Sequence, residues 1–171
     1  TMATIWHTVA TQDVRLLRRQ LEILRRLPKS QVFLNYLRCH DDIGWGLDYP
    51  TLRSYGMEEV PHKQFLNDYF RGYTGSASRG ELYNEDPVTK DARFCGTTAS
   101  MCGIGQEDSR SEGIRLDLML HALMLFQSGI PVLYSGDEIG QLNDDSYHDD
   151  PNKAMDSRYI HRGKMHWEQA E

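Results

Sequence analysis

Three polar residues whose side chains could do chemistry, His40, Asp41 and Asp42, follow a largely apolar run over residues 32–37, with Arg38 and Cys39 between. Such a run predicts a parallel strand, because a strand buried on both faces is apolar along its whole length. In α/β folds, catalytic and ligand-binding side chains lie just beyond the carboxyl ends of these strands. A carboxylate can accept hydrogen bonds from two hydroxyl groups and a neutral imidazole can donate one, which suits a sugar.

Helices and strands alternate around this triplet. Residues 13–27 carry leucines and a valine at three- and four-residue steps, the pattern of an amphipathic helix, and Pro28 ends it. The helix over 111–128 is so apolar that we expect it to be buried on more than one side, and residues after 141 are expected to form a loop and a frayed tail. The other predicted elements are helices over 61–73 and 96–103 and a strand over 130–134.

Composition limits the possible functions. The 171 residues are 39% hydrophobic and 26% charged, as in one globular domain, and the net charge of −6 argues against nucleic-acid binding and favours a neutral substrate. No run approaches the length of a membrane span and no secretory leader is recognisable, so we expect a cytoplasmic protein that does not bind membranes. The three cysteines lack metal-ligand spacing, and we expect neither a metal nor another cofactor.

Two strands are too few for an independent parallel sheet, because such strands need neighbours on both sides and helices above and below. A closed eightfold barrel takes about 250 residues. A chain of 171 residues with two of its strands could be the last part of such a barrel. The alternative is a small independent α/β or mostly helical domain.

Three stretches resemble the α-amylase superfamily of glycoside hydrolases and transglycosylases. Phe33–Asp42 resembles the motif of its seventh strand, and Gly129–Gly140 is similar to the motif of its eighth strand. Asp156–Arg162 is similar to the segment that follows in amylosucrases and other sucrose-acting members. The resemblance implies an α/β fold, the C-terminal portion of a TIM barrel. Helix 6 and strand 7 would take residues 1–44, a large insert 45–105, and helix 7, strand 8 and a loop 106–171.

The resemblance also implies roles for five residues. Asp41 would stabilise the transition state of a retaining reaction on sucrose or an α-glucan, and His40 would bind the same glucosyl unit. Asp42 and Arg93 would contact the acceptor-side sugar, and Arg158 would lie near the glucosyl subsite. The nucleophile and the acid/base belong to earlier strands, so we expect the isolated chain to bind sugar without turnover.

One stretch imitates the nucleophile motif, since Gly113–His121 holds a Gly, Arg, Asp and His at similar spacing. It follows the His–Asp motif along the chain, so we interpret Asp117 as a residue on a helix face. Asp137 and Glu138 are adjacent carboxylates whose side chains diverge, and we expect them to hydrogen-bond at the barrel rim.

Two other functions remain open. His40 and Asp41 could belong to a helical metal-dependent phosphohydrolase, with His7 or His62 and Asp117 as further ligands. The chain could also be a non-catalytic module that binds carbohydrate. Such a module would associate with itself or with a chain supplying the missing strands, because an incomplete barrel exposes sheet edges.

Overall fold

The computed structural model describes residues 1–169, which form a mixed α/β fold of helices and two small sheets. The α-helices are Met2–Thr11 (α1), Arg15–Leu24 (α2), Tyr49–Ser54 (α3), Glu59–Phe70 (α4), Thr98–Met101 (α5) and Arg110–Phe126 (α6). The strands are Leu34–Asn35 (β1), Ile43–Gly44 (β2), Glu81–Tyr83 (β3), Arg93–Cys95 (β4) and Ile130–Pro131 (β5). Short 3₁₀ helices cover Glu107–Ser109, Asp137–Ile139, Asp145–Asp149, Ser157–His161 and Trp167–Gln169.

The two predicted strands pair with each other. β1 and β5 run parallel, with Leu34 opposite Ile130 and Asn35 opposite Pro131. The amide of Ile130 donates to the carbonyl of Phe33 at 2.8 Å. Both strands are shorter than the apolar runs that predicted them, and Pro131 contributes to this because it has no amide hydrogen for the ladder.

The expected burial of these elements is wrong within residues 1–169. The side chains of Leu34 and Ile130 are 61% and 54% exposed, so the strands are not buried on both faces. Helix α6 buries Gly113, Leu120 and Met124 but leaves Phe126 90% exposed, so it is not buried on several sides either. The cause is that no other described element covers the exposed apolar residues of β1, β5, α6 and the positions next to the strands, a set that we call the apolar face. It comprises Val32, Phe33, Leu34, Leu118, Leu125, Phe126, Ile130, Val132 and Leu133.

The second sheet, which sequence patterns did not reveal, has two strands in the predicted insert, β3 and β4, and takes its third, β2, from the segment before it. Its strands are antiparallel in the order β2-β4-β3, with Ile43 opposite Phe94 and Glu81 opposite Cys95. A Cβ at Gly80 would stand 2.2 Å from the ring of Phe94, so only glycine lets β3 approach that ring. In this sheet Arg93 lies opposite Gly44, two residues after Asp42.

Aromatic side chains form the centre of the hydrophobic core. Phe70 meets Trp6 edge-on at 5.7 Å between ring centroids and stacks on Trp45 at 5.5 Å. The indole nitrogen of Trp6 donates to the carbonyl of Leu37 at 2.8 Å, and that of Trp45 donates to Asn67 Oδ1 at 2.9 Å. Aromatic pairs of this kind contribute about 0.5–1.5 kcal/mol beyond their buried area. They hold the segment before His40 against helices α1 and α4.

The C-terminal segment is more ordered than predicted. Instead of a frayed tail, Asp145–Asp149 and Ser157–His161 form 3₁₀ helices that pack on the second sheet. Tyr147, Ile160 and His161 are buried, and the Tyr147 hydroxyl donates to the carboxylate of Glu81. Within residues 1–169 the longest helix has 17 residues, and none has the length and apolarity needed to cross a bilayer.

Candidate sugar-binding site

His40 and Asp41 lie in an open loop between β1 and β2. His40 Nε2 is 3.3 Å from Asp41 Oδ2, and the two side chains are 70% and 50% exposed. Leu37, at the start of this loop, is almost completely buried. The loop is therefore anchored at its base and presents an imidazole and a carboxylate to solvent.

Two arginines from the C-terminal segment reach the Asp41 carboxylate. Arg162 Nη2 donates to Asp41 Oδ1 at 3.2 Å, and Arg158 Nη1 is 3.5 Å from the same oxygen. Arg158 is also bound through two nitrogens to Asp156, each at 2.8 Å, and this contact lowers the pKa of the Asp156 carboxyl. The guanidinium of Arg158 lies 5.0 Å over the ring of Tyr83.

The carbonyl of His40 is held by two donors. Arg162 Nε donates to it at 2.7 Å, and His161 Nε2 lies 3.2 Å from it. The Gly96 amide donates to His161 Nδ1 at 3.2 Å, so Nδ1 is the acceptor and Nε2 carries the proton. Burial lowers the pKa of His161 to about 4, so the ring is neutral at pH 7. These contacts fix the peptide between His40 and Asp41.

Asp42 and Arg93 face each other beside this loop. Arg93 Nε is 3.8 Å from Asp42 Oδ1, and Arg93 Nη1 is 3.8 Å from Asp91 Oδ2. Partial burial raises the pKa of Asp42, although the positive charges of Arg93 and Arg158 oppose the shift. The Arg93 side chain packs over Gly44, where a Cβ would stand 2.6 Å from Nη1. The Arg93 guanidinium thus lies between two carboxylates, at 3.8 Å from each.

A buried ion pair lies behind the loop. Arg38 Nη2 is 2.8 Å from Asp137 Oδ1, and both side chains are almost inaccessible to solvent. Arg38 Nε also contacts Asp137 Oδ1 at 2.9 Å and Thr98 Oγ1 at 3.2 Å. The pair joins the chain after β1 to the chain after β5. Glu138 turns away and accepts from the Gly136 amide at 2.8 Å, so the two adjacent carboxylates diverge as predicted.

Asp117 lies on helix α6 beside His121. Asp117 Oδ1 is 3.4 Å from His121 Nδ1, and Asp137 Oδ2 is 3.8 Å from His121 Nε2. The two carboxylates raise the pKa of His121 to about 10 against the opposing effect of burial. These contacts place Asp117 in an ion-pair network on a helix face.

The structure brings together the five residues singled out from the sequence. Asp41 contacts His40 and Arg158, and Asp42 faces Arg93. Sequence reasoning did not assign Arg162, although it closes the segment that resembles sucrose-acting enzymes. The second residue missed, Tyr83, lies on a three-residue strand without an alternating pattern.

The described residues offer no set of metal ligands for the alternative of a metal-dependent phosphohydrolase. Among residues 1–169, no three His, Cys, Asp or Glu side chains are grouped as a metal ion would require. His7 and His62 instead lie against each other, with ring centroids 5.0 Å apart, on helices α1 and α4.

No protein-family model matches the sequence. The fold is similar to part of sucrose 6F-phosphate phosphorylase from Thermoanaerobacter thermosaccharolyticum, a crystal structure that aligns with a TM-score of 0.65 and 19% identity. The similarity is one of fold. It covers 98% of this chain and 30% of that protein, so the chain spans less than a third of the neighbour's length.

Proposed function

We propose that this chain supplies the glucosyl-binding side of a retaining enzyme of the α-amylase superfamily, close to the amylosucrases. The observation that carries the proposal is the Asp41 carboxylate, which is open to solvent and oriented by His40, Arg158 and Arg162. The sequence motifs around it and the fold similarity to a protein named as a sucrose 6F-phosphate phosphorylase support the same class.

Asp41 stabilises the transition state in this proposal. An ionised carboxylate accepts hydrogen bonds from two sugar hydroxyls, and these bonds strengthen as positive charge develops at the anomeric carbon. His40 binds the same sugar ring. Asp42 and Arg93 contact the acceptor-side sugar, and Arg158 contributes from the far side of the Asp41 carboxylate. The nucleophile and the acid/base come from elsewhere, so the described site binds and distorts sugar without cleaving it.

The charge balance of the site favours a neutral sugar over a phosphorylated one. Two of the three arginines have close carboxylate partners, at 2.8 Å for Arg158 and Asp156 and at 3.2 Å for Arg162 and Asp41. The third, Arg93, lies between two carboxylates, those of Asp42 and Asp91, at 3.8 Å from each. Arginines that bind phosphate must direct unshared N–H groups at the anion. We therefore infer that the ligand is sucrose or an α-glucan.

Isothermal titration of the chain with sucrose, maltose and glucose 6-phosphate tests this proposal. We expect the two neutral sugars to bind more tightly than the phosphate ester, with no sugar released over hours. Asp41→Asn removes a charged acceptor, and such hydrogen bonds are worth about 1.5–3 kcal/mol, so affinity should fall by about tenfold or more. Asp108→Asn, at an exposed position, is the matched control. Equal binding by the wild type and Asp41→Asn, or turnover by the chain alone, would contradict the proposal.

We also propose that β1 and β5 are the seventh and eighth strands of a TIM barrel, and that the apolar face meets its remaining strands. The parallel pairing of β1 with β5 and the exposure of Leu34, Phe126 and Ile130 support this. Soluble monomers rarely expose apolar patches larger than a few hundred Å². The partner is the preceding part of a barrel or, without it, a second copy of the chain.

Sedimentation velocity across a range of protein concentrations tests whether this face associates. We expect the wild type to self-associate and Phe126→Glu to shift the distribution toward monomer, because a charge then enters the apolar face. Val88→Glu changes another highly exposed apolar residue, in the insert, and should leave association unchanged. Monomeric behaviour of the wild type at high concentration would count against a face that needs a partner.

A further inference from the structure

Arg162 bridges the backbone and the side chain of two consecutive residues of the candidate site. Its Nε donates to the His40 carbonyl at 2.7 Å, and its Nη2 donates to Asp41 Oδ1 at 3.2 Å. A planar guanidinium makes these contacts through two nitrogens at a fixed spacing, which the single nitrogen of a lysine ammonium does not reproduce. One side chain thus sets both the peptide orientation and the carboxylate orientation.

Arg158 and Arg162 approach the same oxygen but are held differently. Arg158 is fixed by two hydrogen bonds to Asp156, so its position does not depend on Asp41. For Arg162, the side-chain hydrogen bonds in the part of the chain that the structure describes go to His40 and Asp41. Its side chain is 25% exposed, and the Tyr159 ring lies 5.7 Å from its guanidinium carbon. Arg162 therefore acts on the loop, while Arg158 presents charge to it.

We propose that Arg162 is a positioning residue that holds Asp41 in its sugar-binding orientation. The expected effect of Arg162 on sugar affinity rests on the proposed function. Its expected effect on the order of the loop does not. Together with His161, Arg162 occupies the His40 carbonyl, which keeps the peptide from rotating. A carboxylate offers about four acceptor positions, so Asp41 retains capacity for sugar hydroxyls while it is bound to Arg162.

The test compares Arg162→Gln, Arg162→Lys and the exposed-site control Arg26→Gln by backbone ¹⁵N relaxation, sugar titration and thermal melting. In Arg162→Gln we expect the amides of Asp41 and Asp42 to become more mobile and sugar affinity to fall by about tenfold, with little change in melting temperature. Arg162→Lys keeps the charge but cannot span both contacts, so it should give intermediate values and also serves if the glutamine variant does not fold.

Each outcome decides one of the two proposals. Unchanged order at Asp41 in Arg162→Gln would overturn the positioning role, even if sugar affinity fell, because Arg162 would then act by direct contact with the ligand. If the wild type binds no sugar, the proposed function fails. Relaxation at Asp41 still decides whether Arg162 orders the loop.

Discussion

Removal of one partner of the buried pair between Arg38 and Asp137 should strongly destabilise the chain. Arg38→Met leaves the Asp137 carboxylate buried with only the more distant His121, whose Nε2 is 3.8 Å away. Removal of one partner of a buried pair costs about 3–5 kcal/mol, and because the cationic His121 stays near Asp137 we expect a loss toward the lower end of that range. Domains commonly have about 5–15 kcal/mol of stability in total, so this loss would consume a large part of it.

Urea denaturation followed by circular dichroism measures the effect. With a slope of about 2 kcal/mol per molar urea, a loss of 3–5 kcal/mol lowers the midpoint by about 2 M. The double variant Arg38→Met/Asp137→Leu removes both charges, and replacement of a buried pair by apolar side chains is commonly neutral or stabilising. We therefore expect the double variant to be more stable than Arg38→Met alone.

The control is the exposed pair of Arg18 and Glu22, whose nitrogen and oxygen are 3.3 Å apart on helix α2. Arg18→Met should cost less than about 1 kcal/mol, because solvent screens exposed pairs. If Arg38→Met cost no more than Arg18→Met, the reasoning that burial makes this pair essential would be refuted. The same would follow if the double variant were less stable than Arg38→Met alone.

The remaining predictions concern three histidines. Burial lowers the pKa of His7 to about 4, below its unfolded value near 6.5. Protonation of His7 therefore favours unfolding as pH falls from 6.5 toward 4. In His7→Phe we expect the melting temperature to fall less on acidification than in the wild type. The pKa of His121 is raised to about 10, so its contribution is complete below pH 6.5 and is lost as pH rises toward 10. His121→Gln should therefore flatten the alkaline limb of the same melting profile. Nitrogen-15 shifts of His161 should show a neutral ring protonated on Nε2 at pH 7, and a Nδ1–H form would contradict the contact from Gly96.

The parallel pair of strands β1 and β5 could be predicted from the sequence because apolar runs indicate strands directly. The runs over 32–37 and 130–134 predicted β1 and β5, and helices α2, α4 and α6 appeared where periodicity placed them. The prediction that failed was the burial of β1, β5 and α6. Periodicity tells that a residue such as Phe126 needs an apolar neighbour, but it does not tell whether the same chain provides one.

The second sheet escaped prediction for a different reason. Strands β3 and β4 have three residues each, and their side chains are charged, polar and apolar in no alternating order. Such short strands are specified by contacts between distant segments, for example the pairing of Leu82 with Phe94. The same reason explains why Tyr83 was missed as a neighbour of Arg158.

The candidate site and the apolar face depend on the same pair of strands. The loop after β1 carries Asp41, whereas the exposed side chains of Leu34 and Ile130 belong to the strands themselves. Arg38 and Asp137 join the chain segments that follow the two strands, and the Asp41 carboxylate is contacted by Arg158 and Arg162, so these contacts do not involve the apolar face. Under the proposed function, this separation would let the chain present a formed sugar-binding loop while other strands supply the rest of the reaction. It also requires that charges introduced at Phe126 disturb association while sugar affinity at Asp41 is retained.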